Sequence, residues 1–194
     1  MKREDYPYMH TFWHHKFRVG WPLEEDVCIE DIAHSLSLLC RFTGHVKQFY
    51  SVGEHSVRVS YLCPPEYQLW GLLHDAGECY AGDVNRPLKY SPGMEAYREY
   101  EKAVQRVIMR HFGLPEDEPI EVKAADDRLL VTEQRWLMWG VKSAGNVQKS
   151  RLHKVTPLPE KLVPWTPEET ERTFLMRFYE LSKVNEFYKP IQRS

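Results

Sequence analysis

Apolar residues along the chain recur at intervals of three and four rather than in alternation, which predicts amphipathic helices and an all-α fold. A first helix is expected from about Ile29 to Phe42, with Ile29, Ile32, Ala33, Leu36, Leu39 and Cys40 on one stripe and Gly44 as its stop. Ser51-Val52-Gly53-Glu54 reads as a capping box, so a second helix starts there and runs until Pro64-Pro65, with His55 in its first turn. A third, from about Glu66 to Tyr80, carries His74 and Glu78 one turn apart and gives way to a loop over 82–87. Further helices are expected from about Met94 to His111, closed by Gly113, and from about Ile120 to Trp139, closed by Gly140. The sequence Thr166-Pro167-Glu168-Glu169 opens a last one, which should reach about Phe187. Short strands are compatible with the segment Lys47 to Val52 and with the surroundings of Val155.

Composition narrows the class. The 194 residues carry no repeat, low-complexity tract or flexible linker, so the expectation is one compact helical bundle spanning 1–194. A formal charge of −2 argues against a duplex nucleic acid partner but leaves room for a local basic pocket that holds a small phosphate-bearing molecule. Cys28, Cys40, Cys63 and Cys79 lack CxxC spacing and lie in apolar stretches, so reduced buried thiols are expected rather than disulfides or a zinc-thiolate site. Neither a signal-peptide h-region nor a membrane-spanning run is present, which points to a cytoplasmic protein. Whether it forms a homo-oligomer is left open.

The chemistry lies in four ligand-type residues on three predicted helices: His55, the dipeptide His74-Asp75, and Asp126. Imidazole nitrogens and carboxylate oxygens without thiolates suit a divalent ion such as Mn, Co, Zn, Fe or Mg, and leave coordination positions open for water and substrate. Facing helices are rigid supports for such a set. Glu78, projecting to the same side as His74, is the general acid/base candidate. Other residues read as structural. His34 should be a buried, hydrogen-bonded histidine; His10, His14 and His15 should be exposed or structural; Phe12, Trp13, Phe17 and Trp21 should form a core flap.

The pattern His…His-Asp…Asp resembles the HD-domain phosphohydrolases. Ser51-Val52-Gly53-Glu54-His55-Ser56, Leu73-His74-Asp75-Ala76-Gly77-Glu78, Gly82-Asp83 with Arg86-Pro87-Leu88-Lys89, and Lys123-Ala124-Ala125-Asp126 are similar to motifs of the 5′-deoxynucleotidase branch. The stretch from Ile29 to His45, with Phe49-Tyr50 and Thr132-Glu133, is more like small phage and prophage HD proteins, including dATP triphosphohydrolases of phages that replace adenine with 2-aminoadenine. The similarity spans about Ile29 to Met138. It implies an HD-type bundle, a metal held by His55, His74, Asp75 and Asp126, and Asp127 as an exposed neighbour. By the same resemblance Asp83 orients water or substrate, Arg41-Phe42 contacts phosphate and sugar, and Lys89 and Lys123 lie near the phosphate chain. Lys123 stands one turn before Asp126, so both can reach one pocket. The implied activity is hydrolysis of a deoxynucleoside triphosphate, dATP first. A 5′-deoxynucleotidase acting on monophosphates, or a non-catalytic nucleotide-binding HD protein, are the alternatives.

Overall fold

Helix α2 (Val52–Leu62) is almost wholly buried, because four other helices pack around it. The computed structural model describes residues 2–138 and 151–182, and in it α1 (Ile29–Leu38), α3 (Gln68–Leu73), α7 (Ile120–Leu137) and α8 (Pro167–Ser182) all contact α2. The short helices α4 (Glu78–Ala81) and α5 (Arg86–Lys89) and the long α6 (Glu95–His111) complete an all-helical fold. Ser51 caps α2 by accepting a hydrogen bond from the Glu54 backbone N–H at 3.0 Å. Thr166 and Glu169 form the reciprocal box that starts α8. Gly53 lets three helices converge: a Cβ there would lie 2.9 Å from Thr170 Cγ2 and 3.1 Å from the Leu36 carbonyl carbon. Buried Ile32, Leu36, Val57, Leu72, Leu73, Ile108, Leu129, Phe174 and Phe178 form one continuous core.

Three segments depart from the sequence expectation. Helix α1 ends at Leu38 rather than Phe42, since the chain then pairs with the start of α2: Arg41 N–H donates to the Tyr50 carbonyl at 2.9 Å and Val52 N–H to that of Leu39 at 2.9 Å. Between these strand-like bonds runs a 3-10 segment, Arg41–Gly44. The expected helix from Glu66 to Tyr80 is a 3-10 turn (Pro65–Tyr67) followed by α3 and α4, with turn backbone over 74–77 between them. Gln105 of α6 fills that break, accepting from Gly77 N–H and donating to the Leu73 carbonyl, both at 2.8 Å. At the N-terminal end, β1 (Met9–His10) pairs antiparallel with β2 (Lys16–Phe17), a hairpin that two-residue strands leave almost invisible to periodicity. The predicted last turns at Trp139 and beyond Ser182 lie outside the described residues. Among the described residues no helix is long and apolar enough to cross a membrane.

Candidate metal centre

The break between α3 and α4 sets the site. His74 and Asp75 sit on this turn, directly after α3, where His74 keeps α-helical dihedrals of φ −61° and ψ −32°. His74 Nε2 lies 3.2 Å from His55 Nε2 and 3.2 Å from Asp75 Oδ2. From α7, Asp126 places Oδ1 3.2 Å from His55 Nε2, and Asp75 Oδ2 is 3.7 Å from the same nitrogen. A tetrahedral ion with bonds near 2.0–2.2 Å separates its donors by roughly 3.3 to 3.6 Å, so these spacings fit a divalent metal. His55, His74 and Asp75 thus form a compact candidate ligand group, which Asp126 joins from the His55 side.

Each imidazole is oriented through its other nitrogen. His74 Nδ1 is 2.8 Å from the Gly71 carbonyl, which requires Nδ1–H and leaves Nε2 with a lone pair for the site. His55 Nδ1 lies 2.6 Å from Glu133 Oε1, and both residues are fully buried. Glu133 also accepts from Arg41 Nη2 at 3.2 Å, while Arg41 Nη1 approaches Asp75 Oδ2 at 3.5 Å. One buried carboxylate therefore holds both a candidate ligand and the nearest cation. Burial and the Arg41 cation disfavour protonation of His55, but Glu133 and Asp126 outweigh them and lift it to about 9. Burial would raise Asp75 and Asp126, yet the adjoining imidazoles hold both below the usual carboxylate range, with Arg41 acting on Asp75 and Lys123 on Asp126. In the metal-free protein these groups form an ion-pair cluster whose proton a divalent cation would displace.

The cluster opens into a cavity of about 830 Å³ bordered by Arg41, Glu78, Asp83, Lys89, Lys123 and Gln134, among others. Burial, and then the charges of Asp75 and Asp83, push the Glu78 carboxyl well above its ordinary value. Burial likewise raises Asp83. Three buried polar atoms of cavity-lining residues have no hydrogen-bond partner among the described residues: Arg41 Nε, Glu78 Oε2 and Gln134 Oε1. Unsatisfied buried atoms are costly, so a bound molecule that met these three would offset that cost. Phe42, whose ring lies 5.3 Å from the Arg41 guanidinium carbon, has φ 56°, and Thr43 has φ 53°. Left-handed backbone at non-glycine residues costs of order 1–3 kcal/mol each, strain of the kind that concentrates at functional sites.

The cations are less open than their positions suggest. Lys89 Nζ contacts both Glu101 oxygens, at 2.6 and 2.5 Å. Lys123 bonds Asp126 and lies 3.3 Å from Asp127 Oδ1. That pairing corrects the expectation of an exposed Asp127: the residue is buried, and Lys123 compensates its charge. His34 is half-buried rather than buried, stacks on Phe12 and contacts Glu171 Oε2 at 3.0 Å. Of the aromatic flap only Phe17 joins the core, stacked on Tyr80, whereas Phe12, Trp13 and Trp21 are exposed. Glu133, Gln105 and Gln134 are the site residues to which sequence reasoning assigned no role.

The fold and its cluster define an all-helical protein with a candidate metal centre. No protein-family model matches the chain. The uncharacterized protein YfdR of Escherichia coli is 36% identical over 167 residues, 83% of this chain and 88% of that protein. An uncharacterized protein of Rhodobacter capsulatus is 35% identical over 113 residues, 54% of this chain and 57% of its own length. The chain belongs to the YfdR family.

Proposed function

We propose that the protein is a divalent-metal-dependent phosphohydrolase of the HD type that acts on deoxynucleoside phosphates. The observation that carries this reading is a set of imidazole and carboxylate donors at metal-compatible spacing, opening directly onto a nucleotide-sized cavity with the buried Glu78 carboxyl in its wall. His55, His74, Asp75 and Asp126 would hold the ion. Once bound, it supplies a Lewis acid that acidifies water and neutralises phosphoryl charge. Arg41, anchored by Glu133, lines the cavity as a phosphate contact. Glu78, whose carboxyl burial pushes well above its ordinary value, is the group to donate a proton to the leaving oxygen, and Asp83 orients water or substrate.

Within this class we favour a deoxynucleoside triphosphate, with dATP first, because the cavity is large enough for more than one phosphate and Lys89 and Lys123 are among the residues that line it. A monophosphate is the second reading, favoured by one observation: both lysines are already neutralised by carboxylates, so neither stands ready for phosphates beyond the first. Incubating the metal-loaded protein with a panel of nucleoside mono-, di- and triphosphates, and identifying the released anion, tests both. Triphosphate release supports the first reading and orthophosphate from monophosphates alone the second. Absence of hydrolysis across the panel, with metal bound, contradicts the proposal.

A further inference from the structure

A second group of metal-ligand side chains lies away from the cavity, where the N-terminal hairpin meets the start of α1. His15, Cys28 and Asp31 place one donor atom each within 4.8 Å of one another. Sequence spacing does not reveal the group, because His15 comes from the hairpin and the other two from the N-cap and first turn of a helix. Glu30, next in the same turn, brings Oε2 to 3.1 Å from Cys28 Sγ. The set is thus one imidazole, one thiol and two carboxylates.

The hairpin is built to deliver His15. Thr11 N–H donates to the His15 carbonyl and His15 N–H to Thr11 Oγ1, each at 3.0 Å, around His14 with its left-handed φ of 63°. Trp13 N–H then docks the loop on Asp31 Oδ1 at 2.8 Å, and His15 Nδ1 meets Asp31 Oδ2 at 2.6 Å. Cys28 and Asp31 are buried, whereas the His15 side chain is 40% exposed. The buried Tyr80 hydroxyl adjoins the Cys28 backbone beside this group.

We propose that His15, Cys28, Glu30 and Asp31 form a second metal site, selective for a borderline ion such as Zn²⁺ or Co²⁺, which fastens the N-terminal hairpin to α1. Mixed nitrogen, sulfur and oxygen donors suit these ions and disfavour Mg²⁺ and Ca²⁺. On binding, the sulfur–metal bond forms as the Cys28 S–H bond breaks, and the proton passes to solvent. Burial holds the metal-free thiol up to about 11, so this proton is present at neutral pH and its release is measurable. The site does not depend on the proposed hydrolase, and its ligands are distinguishable from the cavity cluster because only it contains a thiol.

The test is titration of the chelator-stripped full chain with Co²⁺, followed by near-ultraviolet absorption. A thiolate-to-cobalt charge-transfer band should appear, vanish in Cys28→Ser, require at least tenfold more Co²⁺ in His15→Ala, and persist in His74→Ala, which disables only the cavity cluster. Absence of the band in the parent, or its persistence in Cys28→Ser, overturns the proposal. A half-saturation unchanged in His15→Ala overturns the ligand set.

Discussion

The two walls of the cavity are constructed differently. On the ligand wall, His55 of α2 and His74 and Asp75 of the α3–α4 turn stand within 3.2–3.7 Å of one another, Asp126 of α7 lies 3.2 Å from His55, and His55 and His74 are each oriented from behind by a buried acceptor. On the cation wall, Lys89 and Lys123 are bound to Glu101 and to Asp126 and Asp127, so a phosphate chain must compete with carboxylates already in place. Arg41 joins the walls through Glu133 and Asp75. The ligand wall is therefore preorganised as a candidate ion site, while the cation wall must exchange partners to meet a phosphate chain. Chemistry should accordingly be sensitive to the first wall and substrate choice to the second.

The largest effect should follow removal of the acid/base group. Glu78→Ala should retain metal and substrate binding while kcat falls on the order of a hundredfold or more. Unchanged turnover would leave Glu78 as a buried wall residue only. Next comes the orienting carboxylate: Glu133→Gln should weaken metal affinity by roughly ten- to a hundredfold, measured by competition with a chelator, because His55 loses its charged partner. Equal affinity would mean that the ligand wall does not need support from behind.

Why the metal group was legible and its supports were not follows from their separations. The His74-Asp75 dipeptide and the capping residues Ser51 and Thr166 announce themselves locally, and the helices of the bundle follow from apolar periodicity. Gln105 lies on α6 yet replaces the backbone bonds lost at the α3–α4 break, and Glu133 reaches His55 across 78 positions. No local signal encodes either contact. Asp127 was misjudged for the same reason: its burial depends on how α7 packs and on Lys123 folding over it, not on its place beside Asp126.

The cation wall should respond more modestly. Lys89→Ala or Lys123→Ala should each reduce kcat/KM for dATP about tenfold relative to dAMP, since a charge-assisted hydrogen bond contributes roughly 1.5–3 kcal/mol only where its phosphate is present. Arg41→Ala should impair both substrates. An unmoved dATP to dAMP preference in the lysine variants would favour the monophosphate reading.

The smallest effect is thermodynamic and belongs to the ligand wall without its ion. His55 is raised from an ordinary value of 6.5 to about 9, so its contribution to stability is fully present below 6.5 and is lost as pH rises through about 9. Glu78 acts in the same direction, because a carboxyl raised by burial costs stability as rising pH forces its ionisation. The Tm of chelator-treated protein should therefore fall between pH 6.5 and 9, and a bound divalent ion should flatten that slope. A Tm independent of pH in the metal-free protein would contradict the ion-pair cluster.

The central claim, that this cluster binds an ion required for phosphate hydrolysis, is tested most directly by measuring bound metal and nucleotide hydrolysis on the same preparation before and after chelation. The account predicts that exhaustive chelator dialysis abolishes hydrolysis, that Mn²⁺ or Co²⁺ restores it, and that Asp75→Ala neither retains the ion at the cavity nor recovers activity. Full hydrolysis by metal-free protein, or by Asp75→Ala, would contradict it.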